Sequence, residues 1–221
     1  MATKNHPIRA ALRDRILIMD GGMGTLIQAR ELGEDDYRGD SFADHSHPLE
    51  GAHDVLSITR PDVIEEIHCE YLEAGADTIG TNTFNATSIA MADYAMEEHV
   101  FAINRAAAEV ARRAADAYTA RDPSKPRFVL GAIGPTNRTA SISPDVQDPG
   151  ARGVTFDELV EAYGEQARGL IAGGADCLIV ETVFDTLNCK AALFALTGVV
   201  EEADRDVPIM VSGTITDASG R

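Results

Sequence analysis

The sequence predicts an α/β fold in which a parallel sheet forms most of a (β/α)8 barrel, with about five of its eight βα units present. Three observations lead to this prediction. Short apolar runs each end in a polar cluster, helical patterns alternate with these runs, and one strand-entry sequence occurs twice. The 221 residues are 44% apolar, which is enough to bury the core of one domain, so we assign residues 1–221 to a single domain.

The apolar runs are the predicted strands. A strand buried on both faces is apolar throughout, and the residues after its carboxyl end are where a parallel sheet presents polar groups to a ligand. Asp20, the triplet at residues 81–83 and Glu181 follow three of the runs, so we expect them to converge at one mouth. The predicted strands span residues 16–19, 78–80, 128–133, 178–180 and 208–211.

Helical patterns fill the intervals between the runs. Their boundaries are marked by a proline near the first helical position, a terminal glycine, an alanine-rich stretch and a Thr-Glu pair at capping-box spacing. We predict one helix that begins at Thr59 and Pro61 and ends at Gly75, and a second over residues 88–118. A third begins at Thr155 with Glu158, and a fourth spans residues 185–204.

An internal repeat supports the same architecture. The tripeptide Gly-Ala-Asp occurs at residues 75–77 and again at 174–176, 99 residues apart, each time between a helix end and a strand start. The same offset pairs Asn82 with Glu181. Two βα units therefore end in equivalent polar positions, as a barrel of repeated units requires.

Composition restricts the partners and the location of the protein. The formal net charge of −17 repels nucleic-acid phosphates and anionic lipid surfaces, so we expect neither nucleic acid nor a membrane as a partner. The amino terminus lacks the apolar core of a signal peptide, and we expect a cytoplasmic protein. The three cysteines, Cys69, Cys177 and Cys189, form no CxxC pair, and a disulfide framework is not expected.

Two long polar loops, residues 29–57 and 136–153, interrupt the alternation. A substrate lid or docking surface and plain surface decoration both stay open for them. His45 and His47 in the first loop have no neighbouring cluster of carboxylates or cysteines, so they make a weak metal-site hypothesis.

The candidate chemistry depends on Asp20 and Glu181. Gly21, Gly22 and then a helix follow Asp20, so a ligand carboxylate can approach backbone N–H groups while Asp20 takes a cation. Glu181 ends an apolar run, where a carboxylate is costly unless it is paired or meets a ligand cation. Structural alternatives are a tight turn at the glycines and a salt bridge at Glu181. A glycosidase acid/base pair is disfavoured because the chain has no Trp for sugar stacking.

Five segments carry a family resemblance: IMDGGMGT at 18–25, GADTIGTNTFN at 75–85, GPTNRTASISPD at 134–145, ETVFDTLN at 181–188 and SGTITD at 212–217. Together they resemble the homocysteine-binding domain of the cobalamin-dependent methionine synthases. The resemblance covers almost the whole chain in order. The GPTNRTASISPDV and ETVFDTLN runs favour methionine synthases over the wider group of homocysteine methyltransferases.

The resemblance implies a TIM-type (β/α)8 barrel that binds homocysteine and takes part in S-methyl transfer from methylcobalamin to give methionine. It implies a zinc ion on three cysteine thiolates, which lowers the pKa of the homocysteine thiol, and it implies the folate and cobalamin domains of the full-length enzyme as partners. A metal is needed because a free thiol is mostly protonated at neutral pH. The residues that match the family's binding positions for the amino-acid part of homocysteine are Asp20, Gly21, Gly22, Thr81, Asn82, Thr83 and Glu181.

The chain departs from the family in its cysteines. The family's zinc ligands follow the sixth and eighth strands, and this chain ends at Arg221 before either of them. We therefore expect a domain truncated at its carboxyl end that lacks zinc ligands, holds no stoichiometric zinc and is inactive alone. Two alternatives stay open. One is a catalytically silent fragment or interaction protein, and the other is a methyltransferase that uses a different small methyl donor, such as betaine or S-methylmethionine.

Overall fold

The computed structural model describes residues 6–203 and 205–215. Their sheet is parallel, with its strands hydrogen-bonded in the order β1-β2-β3-β4. The α/β fold class and the parallel sheet are confirmed. Within the described residues the sheet is open, so the barrel itself stays a prediction. The strands are β1 Thr78–Gly80, β2 Phe128–Ile133, β3 Cys177–Val183 and β4 Ile209–Gly213.

Helices precede and connect these strands. None of those in the described residues combines the length and the hydropathy that crossing a bilayer requires. Short 3-10 turns lie at His53–Val55, Ala92–Tyr94 and Glu97–His99. The α-helices are α1 Pro7–Asp14, α2 Met23–Gln28, α3 Glu34–Arg38, α4 Leu56–Thr59, α5 Pro61–Glu73, α6 Ser88–Met91, α7 Val100–Arg121, α8 Phe156–Ala172 and α9 Thr186–Glu202.

The strand predicted at residues 16–19 is wrong. This segment lies beside β1, but a single parallel bridge, between Met19 and Thr78, joins the two. The N–H of Ile18 donates to the carboxylate of Asp77 at 2.8 Å, so that donor does not enter a strand ladder. Ile16 is 84% exposed. The segment is therefore an extended edge whose side chains lack the burial that its apolar composition predicted.

The single helix predicted over residues 88–118 is wrong in its first part. After α6 the chain reaches Ala95, which has a left-handed φ of 54°. The N–H of Met96 then donates to the carbonyl of Met91 at 3.1 Å, which closes a Schellman-type helix end. The side chain of Met96 is fully buried. Packing of this side chain outweighs the helix propensity of the surrounding alanines, and a continuous helix begins only at Val100.

The helix starts predicted at Pro61, Thr155 and residue 185 are confirmed, whereas Thr59 is the last residue of α4 and does not begin α5. Pro61 occupies the first turn of α5. Thr155 Oγ1 accepts the N–H of Glu158 at 3.2 Å, and the Glu158 carboxylate accepts the N–H of Thr155 at 2.8 Å, which completes a capping box. Asp185 caps α9 through bonds from two first-turn N–H groups. Asp204, where the last helix was predicted to end, and Arg221 lie outside the described residues.

The two Gly-Ala-Asp sequences make equivalent helix-to-strand connections. Gly75 and Gly174 have φ values of 110° and 100°, which glycine adopts without the steric penalty of a Cβ. Asp77 and Asp176 each accept a backbone N–H from the neighbouring extended segment at 2.8 Å. The repeat therefore fixes the register between each strand and the extended segment beside it.

Alternation along the strands divides the core into two layers. One sheet face packs under the helices α7, α8 and α9, through residues that include Val129, Ile133, Leu178 and Val180. The other face packs against Ile8 of α1, through Phe128, Leu130, Ala132, Cys177 and Ile179.

Residues 29–57, predicted to be a polar loop, form a third layer of the core. Tyr37, Phe42, Leu49 and Val55 of this segment are buried against α5 and α7. The segment is polar on average, and its apolar residues follow no helical or strand period. Its burial therefore could not be predicted from composition. One consequence is that the turn at His53–Val55 is held firmly beside the end of β1.

Candidate functional site

A cavity of about 330 Å³ opens at the carboxyl ends of the strands. This is the edge at which parallel α/β sheets bind ligands. Met19, Met23, His53, Asp54, Phe84 and Asn85 form much of the remaining wall. The structure brings together in this cavity all seven residues named from the sequence, which are Asp20, Gly21, Gly22, Thr81, Asn82, Thr83 and Glu181. Their role in binding stays a prediction.

Asp20 enters the cavity from the edge segment beside β1. Its Oδ2 accepts the N–H of Gly80 at 2.8 Å, and its own N–H donates to the carbonyl of Thr78 at 3.0 Å. Burial raises the pKa of Asp20 to about 7, the Gly80 N–H opposes this rise, and the carboxylate of Glu181 adds to it. Asp20 is therefore only partly ionised near neutral pH.

Glu181 enters the same cavity from β3. By alternation it follows Cys177 and Ile179, on the sheet face that points away from α8 and α9. Burial raises the pKa of Glu181 as well. Within residues 6–203 and 205–215, no Lys or Arg lines the cavity, and no ion pair includes Asp20 or Glu181. The described residues therefore do not support the salt-bridge alternative for Glu181.

The two glycines after Asp20 allow close packing at the mouth. A Cβ added at Gly21 would lie 3.1 Å from the hydroxyl oxygen of Tyr71, which is a tight contact. The same hydroxyl donates to the carbonyl of Gly22 at 3.2 Å. Gly22 is the N-cap of α2 and has no side chain to cap the first N–H groups of that helix. Among the described residues, no side chain caps these N–H groups.

Thr81 and Thr83 form a closed hydrogen-bond ring with Ala132 of β2. The N–H of Ala132 donates to Thr81 Oγ1 at 2.9 Å, and Thr83 Oγ1 donates to the Ala132 carbonyl at 2.7 Å. Because the Thr83 proton is used there, Thr81 is the donor in the 2.6 Å contact between the two hydroxyls. Both hydroxyl protons are therefore committed to the framework. The two threonines shape the cavity floor, and neither offers a free donor to a ligand.

Asp54 is a cavity residue that the sequence does not single out. Its side chain is 3% exposed, and its Oδ1 accepts the N–H of Asn85 at 3.0 Å. Burial raises the pKa of Asp54 to about 6, against the lowering effect of that N–H. The sequence gives no distinguishing signal for Asp54, because it precedes the apolar pair Val55 and Leu56 just as the exposed Asp62 precedes Val63 and Ile64.

The cysteines do not converge on the cavity. Cys177 begins β3, four residues and ~13 Å of strand before Glu181. Cys69 lies on α5 and Cys189 on α9, and all three thiols are free. In the part of the chain that the structure describes, no three His, Cys, Asp or Glu side chains are grouped to hold a metal. These residues do not fit the three-thiolate zinc site that the resemblance implies.

His45 and His47 also gain no metal-site support. The Nε2 of His45 makes a 2.8 Å hydrogen bond with the carbonyl of Tyr94, and the Nδ1 of His47 makes a 3.0 Å bond with the hydroxyl of Ser46. Their ring centroids are 6.1 Å apart. The Tyr94 contact holds the His45 ring against the chain, whereas the His47 ring is exposed beside Ser46.

Comparison with known proteins places this geometry in a family. The family model for homocysteine S-methyltransferases matches residues 17–221. The solved structures that resemble the chain include the homocysteine methyltransferase MmuM from Escherichia coli. Its metallated form has a TM-score of 0.72 and 25% identity, with 96% of this chain and 67% of that chain covered.

The oxidised form of the same enzyme has a TM-score of 0.68 and 25% identity, and the match covers 93% of this chain and 65% of that chain. Its apo form, at 22% identity and a TM-score of 0.61, supports the likeness in fold. The chain thus spans about two thirds of the length of these proteins. Because the family match extends over residues 17–221, the chain belongs to the homocysteine S-methyltransferase family.

Proposed function

We propose that the cavity binds homocysteine by its amino-acid part, as the methyl acceptor in S-methyl transfer. The observation that carries this proposal is the pair of half-buried carboxylates, Asp20 and Glu181, in a cavity that no Lys or Arg of the described residues lines. A ligand ammonium supplies the positive charge that balances these carboxylates, and its hydrogen bonds to ionised carboxylates are strong and charge-assisted.

The remaining wall suits the other parts of such a ligand. The uncapped start of α2 after Gly22 offers backbone N–H groups to a ligand carboxylate. Met19, Met23 and Phe84 provide apolar surface for the side-chain methylenes. In this arrangement the chain's own residues bind and orient the acceptor.

The finer proposal is that the donor is methylcobalamin and that the reaction is that of methionine synthase. It is supported by the GPTNRTASISPDV and ETVFDTLN runs. In the structure the second run holds the first: Asn188 Oδ1 accepts the N–H of Ala140 at 2.9 Å, and the Asp185 carboxylate accepts the N–H of Ser141 at 3.2 Å. Both runs thus belong to one unit beside Glu181. This proposal implies folate and cobalamin domains as partners and a cytoplasmic location.

The family resemblance also implies zinc, which supplies thiol activation when it is bound. Because the described residues do not fit a three-thiolate site, we assign no step of the reaction to a metal on this chain.

Calorimetric titration tests the binding proposal. L-homocysteine should bind about ten- to hundredfold more tightly than 4-mercaptobutanoate, which keeps the thiol and the carboxylate and lacks the ammonium. Methionine, which keeps the amino-acid part, serves as the matched control and should bind in the range of homocysteine. Equal affinity for homocysteine and 4-mercaptobutanoate would show that the carboxylate pair does not bind the ligand ammonium.

The donor is tested in a protein that contains the zinc-holding segments of the family as well as this chain. Methyl transfer to homocysteine should be faster from methylcobalamin than from S-methylmethionine or betaine. Preference for either of the small donors would assign the chain to a sister methyltransferase.

A further inference from the structure

Asp54 belongs to the 3-10 turn His53–Val55, at the edge of the segment 29–57 and against the end of β1. It is 3% exposed, and none of the ion pairs among the described residues includes it. A buried carboxylate without a cation is destabilising unless hydrogen bonds replace its lost hydration. Its contacts therefore indicate why it is there.

Two hydrogen bonds join this turn to the segment after β1. The amide Nδ2 of Asn82 donates to the carbonyl of His53 at 2.7 Å, and the N–H of Asn85 donates to Asp54 Oδ1 at 3.0 Å. The segment between Asn82 and Asn85 is part of the cavity wall and includes Phe84. The turn is therefore hydrogen-bonded to both ends of this wall segment.

The other side of the same wall is held by the core. Gln166 of α8 donates from Nε2 to the carbonyl of Thr83 at 2.8 Å, and the Thr83 hydroxyl donates to Ala132. A Cβ at Gly134 would come within 2.4 Å of the Phe84 carbonyl oxygen, so the backbone approaches closely there too. Asp54 is the side chain that fastens the wall at Asn85.

We propose that Asp54 is a positioning residue of the homocysteine cavity, which acts as the hydrogen-bond acceptor for the Asn85 N–H and so fixes the wall that includes Asn82 and Phe84. The negative charge of Asp54 is not needed for this role, because an acceptor oxygen is sufficient for this hydrogen bond. The consequence for ligand affinity rests on the proposed function, whereas the consequence for the wall does not.

The test compares Asp54→Ala with Asp54→Asn, because asparagine keeps an acceptor oxygen and loses the charge. Hydrogen exchange followed by NMR gives the readout. In Asp54→Ala the Asn85 amide should exchange about tenfold faster or more, while the Val129 amide of β2 keeps its wild-type rate. In Asp54→Asn both amides should stay within about twofold of wild type. Asp54→Leu, which fills the space without an acceptor, takes the place of the alanine variant if that variant does not fold.

Homocysteine titration of the same variants completes the test. Affinity should fall about tenfold in Asp54→Ala, and the asparagine variant should recover most of that loss. Wild-type exchange at Asn85 in the alanine variant, or equal losses in both variants, would overturn the proposal. If wild-type protein does not bind homocysteine, the proposed function fails, and the exchange rates at Asn85 still decide the role of Asp54.

Discussion

Asp20 and Glu181 set the electrostatic character of the cavity at the level of single residues. Both carboxyl groups are half-buried and close enough for Glu181 to raise the pKa of Asp20. Ionisation of both at once is unfavourable without a compensating cation, because like charges repel more strongly where water is excluded. A ligand ammonium removes this penalty, and its binding is therefore coupled to loss of a proton from the pair.

This coupling predicts the pH dependence of homocysteine affinity. The pKa of Asp20 is about 7, so its ionised fraction increases about tenfold between one pH unit below that value and one unit above it. Affinity should increase by about the same factor over this range and level off above it. Calorimetry in buffers of different ionisation enthalpy measures both the affinity and the proton released. A pH-independent affinity would show that Asp20 is ionised throughout or does not face the ammonium.

His68 of α5 predicts an acid sensitivity that is separate from the cavity. It is fully buried, and neither ring nitrogen has a hydrogen-bond partner among the described residues. Burial lowers the pKa of His68 from 6.5 to about 4. The unfolded chain thus binds a proton that the folded chain does not, so stability is full above pH 6.5 and declines as the pH falls toward 4.

The His68→Leu variant isolates this effect. Urea unfolding of the wild type should lose about 3 kcal/mol more than the variant over that pH range. The difference between the two proteins cancels contributions from Asp20 and Asp54, whose raised pKa values act in the opposite direction. Parallel stability curves for the two proteins would mean that His68 finds a partner or becomes hydrated when it is protonated.

At the scale of one element, β3 contains an extra residue beside the cavity. Val180 pairs with Val211 and Val183 pairs with Gly213, so Glu181 and Thr182 together face the single residue between those partners. Thr182 has a φ of 55°, a left-handed conformation that a β-branched residue rarely adopts. In a regular strand Val183 and Glu181, two residues apart, would point to the same face of the sheet. The extra residue shifts this alternation, so Val183 packs against the helices instead.

Glycine at position 182 should relieve this strain. Left-handed conformation costs a non-glycine residue about 1–3 kcal/mol, and glycine loses about 0.5–1 kcal/mol through its larger unfolded-state entropy. Thr182→Gly should therefore stabilise the protein by about 1 kcal/mol in chemical denaturation. Thr182→Val, which keeps the branched Cβ, should give no gain. Destabilisation by the glycine substitution would mean that contacts of the threonine side chain outweigh the strain.

The elements that could be predicted from sequence are those with a local cause. β2, β3 and the starts of α5 and α8 follow from apolar runs, a proline and a capping box. The segment 29–57, the break at Ala95 and the cavity residue Asp54 depend on contacts between distant parts of the chain, such as the Asn82 bond to His53. Asp20 and Glu181 were predictable because each carboxylate ends an apolar run, whereas Asp54 only precedes two apolar residues, as the exposed Asp62 also does.

At the scale of the whole molecule, the described sheet leaves apolar surface at both of its edges. Ile16 is 84% exposed beside β1, and Val211 of β4 is 51% exposed. Unpaired strand edges with apolar side chains template association, and the net charge of −17 opposes it only at low ionic strength. Two opposing effects therefore set the oligomeric behaviour of this polypeptide.

Sedimentation analysis should accordingly show reversible association that increases with protein concentration and with salt. Val211→Lys should suppress it, because a charged side chain on an edge strand blocks edge-to-edge pairing. Val146→Lys is the matched control: Val146 is 98% exposed in the loop 136–153, which contributes no strand to the sheet, and its substitution should leave association unchanged. A polypeptide that stays monomeric at every concentration and salt level would contradict this account.

We propose that Glu181 serves the ligand and not the fold. The most direct test measures homocysteine affinity and melting temperature of Glu181→Gln in the same preparation, with wild type alongside. The amide keeps the shape and loses the charge that faces the ammonium, so affinity should fall about ten- to hundredfold, or about 1.5–3 kcal/mol. The melting temperature should stay the same or increase, because burial raises the pKa of Glu181 and its ionised form is destabilising in the empty cavity. Unchanged affinity with a lowered melting temperature would contradict the account and assign Glu181 to the fold.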